Sequence, residues 1–416
     1  MISQLSERQA QILDFIDSES NYLICDGAVR AGKTTVMAIA FVVWAMEYFD
    51  DCNFAICGKT VQSAERNIMR PLLGLKEIPY KRSYRISDRA LTVQCGTKRN
   101  HFYLFGGKDE SSYQLIQGIT LAGALLDEVA LMPRSFVDQV IARTLTYANK
   151  KIWFNCNPEG NRHWFYLEWV LKTDRCELDG SEHLHFLMSD NPVIGPEELA
   201  KAEAAFTGVF YDRYIRGLWV AAEGRIYDCF DEKKHVTAAL PELAVDCYVS
   251  CDYGTQNPTV FLLWQRERGT ERWACVREYY YSGREKKRQK TDREFAADLG
   301  RWLDGIAPKM VIVDPSAASF ITELRQTGYV VTKAVNDVLD GIHLVAGELQ
   351  TGKLLFSAGC KNTISEFQSY VWDEKAAEHG EDKPVKANDH CMDAIRYFCY
   401  TLRNRTVRVN RLIGGI

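Results

Sequence analysis

Eight residues, GAVRAGKT at positions 27–34, constrain the fold of this 416-residue chain more than any other stretch. They match the pattern Gly-x4-Gly-Lys-Thr. An apolar run at 22–25 precedes them, and a long apolar run typical of a helix begins at Thr34. A loop that wraps phosphate groups needs this order of strand, glycine-rich turn and helix. The sequence therefore predicts a P-loop near the start of an α/β domain.

Each residue of the pattern has an expected role at a bound nucleotide. Gly27 and Gly32 let backbone N–H groups turn toward phosphates at a helix N-terminus, where anions are favoured. Lys33 is expected to reach the β- and γ-phosphates, and Thr34 to ligate Mg²⁺. Thr35 follows directly and is assigned to the same nucleotide site. These residues predict binding of ATP with Mg²⁺.

A second apolar run, LAGALLDE at 121–128, ends in two carboxylates. Buried strands of parallel sheets have this composition, and ligands gather at their carboxyl ends. Asp127 is expected to hold the hydrated Mg²⁺, and Glu128 to orient and polarise the attacking water. Metal and water need separate carboxylates, so the pair indicates hydrolysis of ATP.

Three other assignments near the nucleotide leave alternatives open. In FNCNPEGN, either Asn155 or Asn157 senses the γ-phosphate, or both serve the turn before Pro158. Gln9 either reads the adenine edge or is a solvated helix residue. Arg30 either adds charge near the γ-phosphate or faces solvent.

The order of apolar runs predicts two α/β domains. Residues 1–215 alternate strands with helices, which favours a largely parallel sheet, and residues 216–240 are typical of a connector. Residues 241–416 begin with three strands that no helix separates and then alternate helices and strands, which predicts a mixed sheet.

Three carboxylates of the second domain are expected to meet. Asp252 and Asp314 each follow a strand, and Asp393 lies on the last helix, where His390 shares its face. Singly they suit turns or a helix start. Together they would repel unless Mg²⁺ or Mn²⁺ neutralised them, and two such ions clamp an in-line phosphodiester displacement. This pattern predicts a ribonuclease-H-like nuclease with His390 as outer ligand, proton carrier or cap.

Composition excludes several classes of protein. No apolar run approaches the roughly 20 residues of a membrane span, and the N-terminus is not typical of a signal peptide. Thirteen scattered cysteines without a CxxC pair indicate free thiols in a reducing cytosol. The net charge of −4 argues against a globally basic nucleic-acid coat, but leaves local basic segments at 284–290 and 403–411.

The ordered motifs resemble one family, the large terminase subunits of tailed bacteriophages and prophages, in their PBSX-type branch. The likeness spans essentially the whole chain and rests on these stretches: GAVRAGKT, SYQLIQGITLAGALLDEVALMP, FNCNPEGNRHWF, RGLWVAAEGRIYD, CDYG, DPSA and NDHCMDAIRY. The resemblance implies a P-loop ATPase joined to a ribonuclease-H-like nuclease. Its implied partners are double-stranded DNA, a small terminase subunit and the portal of a procapsid, on which subunits form a ring in the host bacterial cytoplasm.

One motif departs from the family, and other functions remain in competition. The family often has Thr or Ser shortly before the coupling Asn, where this chain has FNCN, and Arg66 or Arg70 is an unsupported candidate for an arginine finger. A cellular ATPase–nuclease of repair or restriction shares the chemistry, although residues 216–416 lack the motifs of a helicase lobe. A non-enzymatic subunit would leave the acidic residues as turns and caps.

Overall fold

The computed structural model describes residues 5–75 and 78–413, without the side chains of residues 205 and 404–413. Most side chains of the basic segment 403–411 therefore lie outside the described residues. The chain forms two compact units. The N-terminal unit comprises Met1–Ala202, Val209–Ala221 and Glu378–Glu381, and the C-terminal unit comprises Glu203–Gly208, Ala222–Ala377 and Asp382–Ile416. Among the helices that the structure describes, none has both the length and the apolar character that a membrane crossing needs.

The N-terminal unit is built on an eight-stranded sheet with the order β3-β4-β5-β2-β6-β7-β1-β8. The strands are β1 (Tyr22–Gly27), β2 (Asn53–Gly58), β3 (Lys81–Arg85), β4 (Ala90–Cys95), β5 (Lys98–Gly106), β6 (Gly123–Asp127), β7 (Lys151–Asn155) and β8 (Ser181–Phe186). The six strands from β5 to β8 in this order are parallel, whereas β3 and β4 add antiparallel pairs. The predicted, largely parallel sheet is confirmed.

Helices of the first 215 residues cover this sheet or connect its strands. They are α1 (Glu7–Asp14), α2 (Lys33–Tyr48), α3 (Val61–Ala64), α4 (Arg70–Gly74), α5 (Arg134–Arg143), α6 (Leu171–Asp174), α7 (Pro196–Ala205) and α8 (Gly208–Tyr214). A π-helical turn, Glu65–Met69, joins α3 to α4, and another, Tyr166–Val170, precedes α6. Short 3-10 helices occur at Glu110–Ile116, Val129–Leu131 and Met188–Asp190.

Helix α2 is almost wholly apolar because it is buried against the sheet. Phe41 and Trp44 of α2 each lie 5.1 Å, between ring centroids, from Trp153 of β7. Burial of one such side chain stabilises a fold by about 1.5–3 kcal/mol. The packing fixes the start of α2 beside the ends of β6, β7 and β1, which are neighbours in the sheet. These three ends carry Asp127, Asn155 and the P-loop.

The C-terminal unit contains a seven-stranded mixed sheet with the order β14-β13-β10-β11-β12-β15-β9. The strands are β9 (Val236–Thr237), β10 (Leu243–Asp252), β11 (Thr259–Glu267), β12 (Trp273–Tyr281), β13 (Met310–Val313), β14 (Val331–Lys333) and β15 (Leu354–Ser357). β10, β11 and β12 form an antiparallel meander, and β13 pairs with β10 in parallel. The mixed sheet confirms the prediction from three strands in succession.

Helices of the C-terminal unit follow the meander, apart from a short one before it. They are α9 (Glu232–His235), α10 (Asp292–Leu303), α11 (Ala318–Gln326), α12 (Val338–Gln350), α13 (Lys361–Ser369), α14 (Glu374–Glu378) and α15 (His390–Ile413). Phe398 of α15 stacks on Trp264 of β11, with ring centroids 4.3 Å apart. This contact fixes α15 against the sheet and brings its first turn toward the end of β10.

Candidate functional site

The P-loop between β1 and α2 depends on two glycines with positive φ. Gly27 has φ +117°, and a Cβ there would lie 2.0 Å from the carbonyl oxygen of Phe186. Gly32, the N-cap of α2, has φ +82°, and a Cβ there would lie 2.4 Å from Nε2 of Gln9. Only glycine adopts such backbone angles without strain, and neither position has room for a side chain. The loop can therefore turn its N–H groups toward an anion.

Lys33 is buried inside the loop that precedes it. Its Nζ donates to the carbonyl oxygens of Gly27 (3.0 Å) and Ala28 (2.8 Å), and to Oδ1 of Asn157 (3.4 Å). Burial lowers the pKa of the Lys33 ammonium, because the charged form loses solvation. The amine is thus held where a phosphate can replace its carbonyl partners.

Thr34, Asp127 and Asn155 form one hydrogen-bonded group. The Thr34 hydroxyl donates to Oδ1 of Asp127 (3.1 Å), and the Asn155 amide donates to Oγ1 of Thr34 (2.8 Å) and to the same Asp127 oxygen. Asn67 donates to the other Asp127 oxygen (3.4 Å). Burial raises the pKa of Asp127 although these hydrogen bonds oppose the shift. Oδ1 of Asn155 is buried without a hydrogen-bond partner. This group of hard oxygen donors fits hydrated Mg²⁺.

Glu128 leaves the strand in an unusual backbone conformation. Its φ of +60° lies in the left-handed region, which non-glycine residues adopt at a cost of order 1–3 kcal/mol. Glu128 thus forms the turn between Asp127, the last residue of β6, and the 3-10 helix Val129–Leu131. Such strain is concentrated at functional sites.

A cavity of 420 Å³ joins these residues. Its lining consists of Val29, Arg30, Ala31, Gly32, Lys33, Thr34, Thr35, Asn67, Asp127, Glu128, Asn155, Cys156, Asn157, Asn191 and Ile194. Nearly all predicted nucleotide residues, Thr35 among them, thus border one space, with the Thr34–Asp127 pair and Lys33 on its wall.

Gln9 is not among the residues that line this cavity, but it contacts the P-loop. It is buried rather than solvated, its Nε2 donates to the Ala31 carbonyl oxygen (3.1 Å), and its Oε1 accepts from the Ser6 N–H in the capping box of α1. Both ends of the amide therefore support the P-loop and the start of α1. Arg30 is exposed, and its carbonyl oxygen accepts from Nδ2 of Asn191 (2.7 Å).

In the C-terminal unit, two neighbouring strands bring two carboxylates together. Cys251 pairs in parallel with Val313, so Asp252 and Asp314 follow adjacent positions at one edge of the sheet. The Asp314 N–H donates to the Cys251 carbonyl oxygen (3.2 Å), and the Asp314 carboxylate accepts from the N–H and hydroxyl of Ser316. Burial raises the pKa of Asp252 to about 6, and the negative charges of Asp393 and Asp314 add to the shift.

Asp393 and His390 reach the same place from the first turn of α15, which begins one residue after Asp389. Nδ1 of His390 lies 2.8 Å from Oδ2 of Asp252, and the buried Arg396 donates to Oδ1 of Asp393 (2.8 Å). Lys386 Nζ lies 3.7 Å from the other Asp393 oxygen. The three predicted carboxylates therefore share one electrostatic site, which basic side chains partly neutralise.

Comparison with known proteins decides the family. A family model described as the N-terminal part of the T4-like-virus type of terminase large subunit matches residues 24–234. The solved large terminase of a thermophilic bacteriophage is 50% identical, with a TM-score of 0.90 over 96% of this chain and 100% of that chain. The chain belongs to the phage large terminases.

Further structures of the same thermophilic-phage protein include complexes with nucleotides. Its complex with ADP is 49% identical with a TM-score of 0.88, and its complex with ATP-γ-S is 48% identical with a TM-score of 0.87; both cover 96% of this terminase and 100% of the thermophilic-phage chain. No curated protein sequence matches the chain. As a large terminase, the protein is a DNA-packaging ATPase and nuclease.

Several residues around the two sites of this terminase received no role from the sequence motifs. Asn67 reaches Asp127 from the π-helical turn after β2. Glu366 of α13 accepts from the N–H groups of Cys391 (2.7 Å) and Met392 (3.3 Å) and so caps α15. Arg396 also donates to Oδ1 of Asn336 (2.7 Å). The sequence signal for Arg396 is its position three residues after Asp393 on one helix, where opposite charges are neighbours.

Proposed function

We propose that this terminase hydrolyses ATP at the cavity around Lys33 and cuts DNA at the carboxylates Asp252, Asp314 and Asp393. Residues 1–215 would be the ATPase domain, 216–240 the connector and 241–416 the nuclease domain. The observation that carries the proposal is that each compact unit holds its own acidic centre, in one case beside a P-loop and in the other at the edge of a mixed sheet.

For the ATPase, we infer the role of each residue at a bound nucleotide from the position of its side chain. Backbone N–H groups of residues 30–33 and the Lys33 ammonium bind the β- and γ-phosphates in place of the loop carbonyls. Thr34 and Asp127 would hold Mg²⁺, which neutralises charge on the phosphates when bound. Glu128 accepts a hydrogen bond from the attacking water and orients it toward the γ-phosphate. Arg30 and Thr35 border the same space and complete the phosphate site.

Coupling of hydrolysis to movement is assigned to the asparagines after β7. Asn155 bonds both to Thr34 and to Asp127, whereas Asn157 bonds to Lys33. Loss of the γ-phosphate changes the partners of Lys33 and of the Mg²⁺ ligands, so each asparagine can transmit that change to the end of β7. Asn155 is the stronger candidate because it contacts two of the proposed metal ligands.

In the nuclease, Asp252, Asp314 and Asp393 would hold two Mn²⁺ or Mg²⁺ ions. Carboxylate oxygens are the donors that these ions prefer, and burial, together with the negative charges of Asp393 and Asp314, raises the pKa of Asp252. Two ions, when bound, stabilise both the attacking and the leaving oxygen of a phosphodiester. His390 orients the Asp252 carboxylate through Nδ1 and is placed to carry a proton. Arg396 restrains Asp393 in the same manner.

We propose double-stranded DNA as the substrate, with the small terminase subunit and the procapsid portal as partners and a ring of subunits on the portal in the host bacterial cytoplasm. Exposed Lys386, beside Asp389 and Asp393, is a candidate contact for the DNA backbone. In the basic segment 284–290, Arg288 and Lys290 pair with Glu294 and Asp298, which leaves Arg284, Lys286 and Lys287 at the surface. Binding to DNA should weaken steeply with salt.

Two substitutions test the assignment of the two centres. Glu128→Gln should abolish ATP hydrolysis and leave Mn²⁺-dependent DNA cleavage unchanged, and Asp252→Asn should do the reverse. The variant Glu197→Gln, which replaces an exposed glutamate, serves as a control for the loss of one acidic group in the N-terminal unit. Retention of Mn²⁺-dependent cleavage by Asp252→Asn would refute the nuclease site, and retention of hydrolysis by Glu128→Gln would refute the role of Glu128.

A further inference from the structure

Asp26 and two histidines form a compact cluster at the base of the P-loop. Asp26, the residue before Gly27, is buried at the end of β1, and His183 and His185 lie on the same face of the adjacent strand β8. Oδ1 of Asp26 lies 2.9 Å from Nε2 of His183 and 2.8 Å from Nδ1 of His185. Within the described part of the chain, this is the one group of three or more His, Cys, Asp or Glu whose donor atoms all lie within 4.8 Å of one another.

Neighbouring groups hold the outer atoms of this cluster in place. Nδ1 of His183 lies 2.7 Å from Oδ1 of Asp174, and Nε1 of Trp219 donates to Oδ2 of Asp26 (2.5 Å). Gly217 lies against the His185 ring, since a Cβ there would be 3.0 Å from Nε2. The remaining atoms, Nε2 of His183, Nδ1 of His185 and Oδ1 of Asp26, converge.

This arrangement is the one that proteins use around bound transition metals. A ligating histidine usually donates its other N–H to a carboxylate, and a ligating carboxylate is itself hydrogen-bonded. His183 with Asp174, and Asp26 with Trp219, match both rules. Nε2 of His183 is also buried without a hydrogen-bond partner, because its short distance to Asp26 does not have hydrogen-bond geometry. An ion between the three atoms would give Nε2 a partner.

We propose that Asp26, His183 and His185 form a binding site for a divalent transition metal of the Zn²⁺ class. Two imidazole nitrogens and one carboxylate oxygen suit Zn²⁺, with bond lengths of about 2.0–2.2 Å. Each of the two nitrogens needs to move only about 0.5 Å from Oδ1 of Asp26 to reach the donor spacing around a tetrahedral ion. The site is separate from the Mg²⁺ site proposed at Thr34 and Asp127. The ion would tie β8 to the strand that leads into the P-loop, and Trp219 would link residues 217–219 to the same point.

The competing explanation is a charge cluster without metal. Burial alone would lower the pKa of His183, but the carboxylates of Asp26 and Asp174 outweigh burial and raise the pKa to about 9. An imidazolium between two carboxylates is then stable by itself, so the two explanations differ in metal content and not in the identity of the contacts.

Metal content after chelator treatment separates them. Full-length protein is stripped with a chelator, incubated with Zn²⁺, desalted and analysed for zinc, and Co²⁺ is titrated in parallel while visible absorption is recorded. We expect about one more equivalent of zinc in the wild type than in His183→Asn/His185→Asn, and a Co²⁺ spectrum that this double variant lacks. His379→Gln, which replaces an exposed histidine, should retain the zinc, as should Asp252→Asn.

Single substitutions keep the test valid if the double variant fails to fold. His185→Asn alone changes a half-exposed side chain and should lose the zinc while its circular dichroism spectrum is unchanged. Trp219→Phe keeps the ring and removes the N–H to Asp26, so it should weaken binding roughly 10-fold. Equal zinc contents in the wild type and His185→Asn, or no zinc in either, would overturn the proposal and leave a charge cluster.

Discussion

Replacement of Arg396 by Met probes the electrostatics of the nuclease site. Arg396 is 1% exposed and pairs with Asp393, which is 9% exposed, and its aliphatic stem packs on Gly341. Met keeps much of that stem and removes the charge. Loss of one partner of a buried ion pair costs about 3–5 kcal/mol, because the other charge stays buried and uncompensated. For a domain of this size, that cost lowers the melting temperature by roughly 6–20 °C.

A divalent ion should restore part of the stability that Arg396→Met loses. If Asp393 ligates metal, Mn²⁺ neutralises the carboxylate that the variant leaves unpaired. An ion at 100 times its dissociation constant stabilises the folded state by about 2.7 kcal/mol. We therefore expect Mn²⁺ to stabilise Arg396→Met more than the wild type, by about 1–2 kcal/mol.

Urea denaturation with and without Mn²⁺ measures this difference. The double variant Asp393→Asn/Arg396→Met removes both charges, so it should recover much of the stability in EDTA and gain less from Mn²⁺ than the wild type. If Mn²⁺ raised the free energy of unfolding equally in the wild type, the single variant and the double variant, the reasoning would be refuted. Binding of the ion would then not depend on the charge of Asp393.

Three further substitutions test the local geometry. Gly32→Ala places a Cβ against Gln9 at positive φ and should cost about 2–3 kcal/mol of stability and weaken nucleotide binding; Gln9→Ala in the same chain should recover part of the loss, as measured by thermal melting. Thr34→Val removes the hydroxyl at Asp127 and should weaken Mg²⁺-dependent ATP binding roughly 10–100-fold in calorimetry, with nuclease activity unchanged. Glu366 is buried, and burial raises its pKa from 4.5 to about 7. Because the folded-state pKa is the higher one, stability from this group is complete below pH 4.5 and declines as the pH rises through 7, by about 3 kcal/mol. Glu366→Gln should remove this decline in urea denaturation at pH 5 and pH 8, and an equal decline in both proteins would contradict the assignment.

Features that follow from local sequence were predictable. An apolar strand, a glycine-rich loop and a helix define the P-loop. Asp127 and Asp252 are the last residues of β6 and β10, and Asp314 directly follows β13. The closeness of Asp252 and Asp314 also follows, because β10 and β13 are parallel neighbours whose ends meet at one edge of their sheet. Asp393 lies in the first turn of α15 and contributes negative charge to the acidic site.

Features that depend on distant contacts were not predictable. The antiparallel strand β3 (KRSYR) is mostly charged, β4 (ALTVQC) mixes apolar and polar residues, and β8 (SEHLHF) contains two histidines. None of the three has the continuous apolar run of a buried strand. The sequence offers two roles for Gln9, a contact to the adenine edge or a solvated position on a helix. In the structure its amide donates to the carbonyl oxygen of Ala31 in the P-loop, 22 residues along the chain. Arg396 follows Asp393 by three residues on α15, so that pair is visible in the sequence, whereas Glu366 of α13 is recognisable as the cap of α15 only once the two helices pack together.

ATP-dependent protection of DNA from added nuclease, in the presence of procapsids, tests the central claim that one centre drives packaging and the other cuts. With linear DNA as substrate, the account predicts protection by the wild type and by Asp252→Asn, and none by Glu128→Gln. Protection by Glu128→Gln, or its loss in Asp252→Asn while ATP hydrolysis continues, would contradict the account.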